Sequence, residues 1–251
     1  MSDKNYLVAE PGSRKIIMIL SHPEYLRMLN KGDGGLRANS SILVSDYDQI
    51  RSDPDYVNLL GELIAPDTVL MQSPYSEVMY ETTSQALYTF SIAKHMIVAE
   101  LLQLLGCRKI HLSQLDVVQE KKTREIEFDA KNPKVKGKYK SLNLDEKSLC
   151  KFIGLEAEYP SGKPNIEKAR ELLVRNKLAK DFILNSWINQ RLNADNRLEK
   201  FDFKVTLSEE TKHMAEHHLS VDIPAFLKLK GDTKTEEIRK TALIVTYAVE
   251  F

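Results

Sequence analysis

Residues 212–220, KHMAEHHLS, place three of the chain's six histidines beside a glutamate. His213-Met214-Ala215-Glu216-His217 spells H-x-x-E-H, the zinc-binding string of inverted zinc peptidases. On a helix, residues four apart share a face. His213 and His217 could then hold one zinc, with Glu216 as general base on the bound water. On a strand the two histidines would lie about 13 Å apart, at ~3.3 Å per residue, and could not share a metal. The flanks, FKVTL (203–207) and LSVDIPAFLKL (219–229), read as strands. The rest of the peptidase pattern is absent. The expected reading is therefore a polar connection or solvated strand end, with no metal and no cofactor. His213, Glu216 and His217 stand as the residues that a metal-dependent hydrolase would use. His22, His95 and His111 are scattered and offer no fixed partner.

A second pattern lies in KNPKVKGKYK (131–140). Lys134, Lys136, Lys138 and Lys140 share one parity, so a strand would project four ammonium groups from one face. Such a face can contact the phosphates of nucleic acid or anionic lipid head groups. It can equally protect an edge strand from unwanted pairing, which is the reading favoured. Tyr139 is the one aromatic and has the other parity, so a base-stacking platform is not indicated.

Other motifs are weaker. KGDGG (31–35) lacks the phosphate-loop pattern. No nucleophile elbow, dinucleotide fingerprint or kinase set is present. Asp46, Asp48, Asp53 and Asp55 miss the spacing of a calcium loop, and Asp53 suits a helix cap. SPYSEVMYETTS (73–84) contains no evident base–nucleophile pair. No small-molecule substrate site is evident.

The elements that would position these residues follow from periodicity. KIIMIL (15–20), SILVS (41–45) and DTVLMQS (67–73) read as strands separated by short capped helices. Residues 84–106 form the clearest helix, apolar on most sides and ended by Gly106. Residues 108–144 alternate as a meander, with a turn at Asn132-Pro133. Residues 164–192 read as a second long helix, with Ala169, Leu172, Leu173, Ala179, Ile183 and Trp187 on one stripe. Alternation returns over 201–207 and 219–223. The final TALIVTYAVEF is apolar on both parities, as in a central strand covered on both faces.

Helices followed by groups of amphipathic strands predict an α+β fold, with antiparallel sheet or sheets packed against two long helices (84–106 and 164–192). The alternative is an α/β fold with a parallel sheet within 15–118. SHP (21–23), SDYD (45–48) and QSPY (72–75) would then sit at strand ends, where such folds place ligands. A single domain over 1–251 is expected, with an N-terminal α/β-like subregion over 1–80.

Composition bounds the function. Lys plus Arg equals Asp plus Glu at 36 each, so no global field draws the chain to nucleic acid or an acidic membrane. Two cysteines, Cys107 and Cys150, cannot build a disulfide framework and fit a reducing, cytoplasmic setting. The polar N-terminus does not read as a signal peptide, and the apolar run Met96–Leu105 is half a membrane span. With little catalytic furniture, the sequence favours a non-enzymatic protein acting through surfaces. Self-assembly, protein partners or membrane contact are its expected modes, including a pore-former-like rearrangement of hairpins in 108–144. Anionic lipid or nucleic acid would meet the 131–140 lysines. The competing class is an enzyme, either a metal-dependent hydrolase or an α/β enzyme using 21–22, 45–48 and 72–75.

Overall fold

The computed structural model describes residues 12, 14–30, 41–120, 122–129, 132–136, 144–154, 156–160, 162–193, 198–220 and 235–251, with backbone alone for 129, 132–136, 144–146 and 217–220. The chain divides into two compact units. Unit 1 comprises Met1–Leu87 and Glu210–Arg239, and unit 2 comprises Tyr88–Glu209 and Lys240–Phe251.

Unit 1 contains β1 (Ile16–Leu20), α1 (His22–Asn30), β2 (Ile42–Asp46), α2 (Tyr47–Ser52), α3 (Pro54–Leu60), β3 (Thr68–Gln72) and β4 (Tyr80–Thr82). The strand order is β2-β1-β3-β4. All five residues of β1 are buried, which accounts for its unbroken apolar run. Ile16, Met18 and Leu20 pack with Tyr25 and Met28 of α1. Ile17 and Ile19 pack with Ile50 of α2 and with Tyr56 and Leu60 of α3. β1 runs parallel to β2 but antiparallel to β3. The all-parallel alternative therefore fails at its third strand, and its fourth segment, 108–115, belongs to the other sheet.

Unit 2 takes in α4 (Ala86–Leu104) from Tyr88 onward. It continues through β5 (Lys109–Gln119), β6 (Lys122–Asp129), β7 (Asn132–Lys136), α5 (Leu144–Ile153), β8 (Glu156–Glu158), α6 (Ile166–Arg175), α7 (Phe182–Leu192) and β9 (Lys200–Thr206). Next comes α8 (Glu209–Ser220), of which all but Glu209 lies in unit 1; β10 (Thr241–Glu250) returns to unit 2. The sheet order is β7-β6-β5-β10-β9, with β8 beside β5, and every pairing is antiparallel. The α+β expectation holds.

A bulge at Ser113 lets β5 keep one face in the core. Ile110 and Leu112 are buried before it and Leu115 and Val117 after it, a one-residue change of phase. Asn132 and Pro133, expected as a turn, are strand residues of β7 and pair with Asp129 and Phe128. A proline fits there because β7 is an edge strand.

Two expectations are corrected. The stretch 164–192 is two helices. α6 ends in a Schellman motif, with Leu178 N–H donating to Leu173 O and Lys177 N–H to Val174 O. Lys177 occupies the left-handed position at φ 60°. Asp181 then caps α7 by accepting from Leu184 N–H. Ala179 and Ile183 of the expected stripe are exposed, whereas Ala169, Leu172, Leu173 and Trp187 are buried. β10 is central, but it is fully buried on one face only. Leu243, Val245, Tyr247 and Val249 are inside, while Ile244, Thr246 and Ala248 are half-exposed.

The helix-ending Gly106 does match expectation. Its φ is +82°, and a Cβ there would meet Gly162 O at 2.5 Å. Trp187 packs on Phe203 of β9 with ring centroids 4.0 Å apart. Truncating it to Ala should lower stability by about 3–5 kcal/mol, read from the denaturant midpoint. Lys177→Gly should raise stability by about 0.5–1 kcal/mol, because it removes the left-handed penalty at an exposed turn.

Candidate functional site

The parallel pairing of β1 and β2 sets Leu20 level with Asp46, so both strands end at the same edge. Beyond β1, Ser21 O accepts from Tyr25 N–H and opens α1, which places His22 in the first turn. Asp46 caps α2, its Oδ1 accepting from Asp48 N–H at 2.9 Å. Its Oδ2 lies 2.8 Å from His22 Nδ1. A carboxylate only accepts, so Nδ1 carries a proton and Nε2 is the free ring position. The Asp46 side chain is 4% exposed and that of His22 63%. The pair is thus a buried orienting carboxylate beneath an accessible imidazole.

β3 runs the opposite way, so its first residues arrive at this same edge. There Asp67, at φ 58°, accepts from both the Ser21 N–H (3.2 Å) and the Ser21 hydroxyl (3.1 Å). The hydroxyl is therefore tied to Asp67, and Ser21 and His22 do not form a nucleophile–base pair. The Ser21 and Asp48 amides, at the starts of α1 and α2, already serve carboxylates. They are not held open for an anion.

Of the three segments expected at strand ends, 21–22 and 45–48 come together here. The third, 72–75, lies at the opposite edge because β3 is antiparallel. Gln72 there donates to the carbonyls of Gly12 and Glu77, and the Tyr75 hydroxyl donates to Glu210 Oε2. These are structural contacts.

The H-x-x-E-H string lies on a helix, α8, against the expectation of a connection or strand end. Thr211 and Ala215, one turn apart, are buried and anchor it. Leu219 belongs to this helix rather than to a strand; Val221 and Ile223 lie outside the described residues. His213 Nδ1 is 3.3 Å from Glu216 Oε2, and both side chains are exposed (71% and 54%). The His217 side chain lies outside the described residues. Among the described residues no three His, Cys, Asp or Glu side chains converge on a point that could hold a metal.

The register of β6 with β7 sets Lys134 opposite Glu127 and Lys136 opposite Glu125. Lys138 and Lys140 lie outside the described residues.

His22 and His95 each have a fixed partner after all. His95 is fully buried, stacked on Tyr247 at 5.7 Å, with Nδ1 2.6 Å from the phenol oxygen. Its Nε2 is buried without a hydrogen-bond partner among the described residues. The partners were out of sight in the sequence because they stand 24 and 152 positions away.

Burial lowers the His95 pKa to about 4 and raises that of the Tyr247 phenol. Above pH ~6.5 the imidazole is neutral folded or unfolded and adds no pH dependence. Below it the unfolded chain gains a proton that the native chain refuses until about pH 4. Stability should fall across that window, by about 2 kcal/mol between pH 7 and pH 5. His95→Phe should remove this component, measured as the difference in denaturation free energy at the two pH values.

Compared with known proteins, the chain matches no family model, no curated protein and no solved structure.

Proposed function

We propose that unit 1 works by proton transfer, with His22 Nε2 as general base, or as general acid when protonated, toward a small molecule bound at the ends of β1 and β2. The observation that carries this reading is the 2.8 Å pair between exposed His22 and buried Asp46. A carboxylate behind an imidazole fixes its tautomer and stabilises the imidazolium formed when it takes a proton. The place is where sheets with parallel strands receive ligands. Because Asp46 and Asp67 occupy the nearby amides, the substrate group beside the imidazole is neutral or cationic rather than a phosphate or carboxylate. Base-assisted attack of water on a neutral ester or amide fits these requirements.

Two measurements test it. Imidazole NMR should find His22 with its proton on Nδ1, and Asp46→Asn should disturb that tautomer. Against a panel of neutral esters and amides, any activity should fall at least ~100-fold in His22→Gln, within the range general-base catalysis contributes. A proton resting on Nε2, or full activity in His22→Gln, rejects the reading.

Action through a surface is a separate reading, and it concerns unit 2. It is favoured by large apolar side chains left in solvent. Phe182 is 85% exposed, Val174 66%, Phe152 64% and Met96 60%. Self-association, partner binding and membrane contact remain its modes, and incubation with anionic vesicles at low and high salt tests the last of them.

A further inference from the structure

The outer face of α6 carries charges of both signs. Glu167, Arg170, Glu171 and Val174 are spaced i, i+3, i+4 and i+7 and form one exposed stripe opposite buried Ala169, Leu172 and Leu173. Together with Ile166 and Arg175 they line an open groove of about 640 Å³. Arg175 is committed, its guanidinium 3.4 Å from Glu100. Glu167, Arg170 and Glu171 make no ion pair among the described residues, although they stand within helical pairing distance of one another.

We infer that this stripe pairs with the same stripe of a second copy of the chain, antiparallel about a twofold axis between Arg170 and Glu171. A twofold contact is self-complementary: if residue i meets residue j, then j meets i. Here Arg170 of each copy meets Glu171 of the other, giving two reciprocal ion pairs. Glu167 of each copy lies over Val174 of the other at the ends. The mixed sign argues against the other occupants. A polyanion or anionic membrane would gain at Arg170 and lose at both glutamates. A second copy satisfies Arg170 and Glu171 together. The inference is independent of the imidazole chemistry of unit 1 and gives the surface reading of unit 2 a specific occupant.

The association is weak. A ten-residue helix is about 15 Å long. Pairing through it alone stays below the roughly 1,200 Å² typical of stable complexes, which places the dissociation constant in roughly the 10 µM to 1 mM range.

Sedimentation velocity of the full chain across that range tests the inference. The native chain should pass from monomer to dimer, with less dimer at high salt. Arg170→Glu alone should weaken dimerisation at least tenfold, because three acidic side chains then face three. The double variant Arg170→Glu with Glu171→Arg swaps the charges and should restore it. All these side chains are exposed, so unchanged circular dichroism should accompany each variant. A monomer at every concentration overturns the inference and self-association with it. A dimer indifferent to Arg170→Glu, or not rescued by the double swap, overturns the α6 pairing and leaves the surface reading to another face.

Discussion

Strand β1 has no side facing water, and unit 1 is arranged around that constraint. Five consecutive buried residues need an apolar layer above and below and a hydrogen-bonding neighbour on each edge. α1 supplies one layer, α2 and α3 the other, and β2 and β3 the edges. Because β2 is parallel and in register, its last residue is level with the last residue of β1. Asp46 therefore reaches the start of α1 from beneath. One carboxylate then does two things: it caps α2 and holds the His22 ring. The candidate chemistry follows from the packing of a strand several residues away.

The two partnered histidines show how far environment decides what one residue type does. His22 has an ionic partner and an open ring edge. His95 has a phenol, a stacked ring and no access to water. The first is open to solvent, and the second is held neutral by desolvation alone. Neither role is encoded by the residues next to the histidine in sequence. Each is set by a partner that arrives through a different strand.

Much of the architecture was readable because periodicity reports burial. The alternating strands, the broadly apolar α4 with its terminating Gly106, and the α+β class all follow from which side chains must avoid water. Strand direction does not, because an apolar run looks the same read either way. β3 was thus misjudged in the parallel alternative, and Asp67 was missed with it. The break between α6 and α7 was hidden by Lys177, a side chain in a backbone conformation where glycine is the usual signal. The helix carrying the histidine string was obscured by weak amphipathicity: among its described residues only Thr211 and Ala215 are buried. Half of the candidate site was visible as segments 21–22 and 45–48, but only the register brings them within bonding distance.

The order in which the strands are made has its own consequence. β5 and β10 are the longest-paired neighbours of the second sheet, yet Gln119 meets Thr241 only after about 120 further residues. At ribosomal speeds of about 5–20 residues per second, one edge of β5 waits roughly 6–24 s for its partner. The β6 hairpin can close within microseconds, so only the other edge stays open. The nascent chain thus presents an unpaired strand edge of up to eleven residues for many seconds.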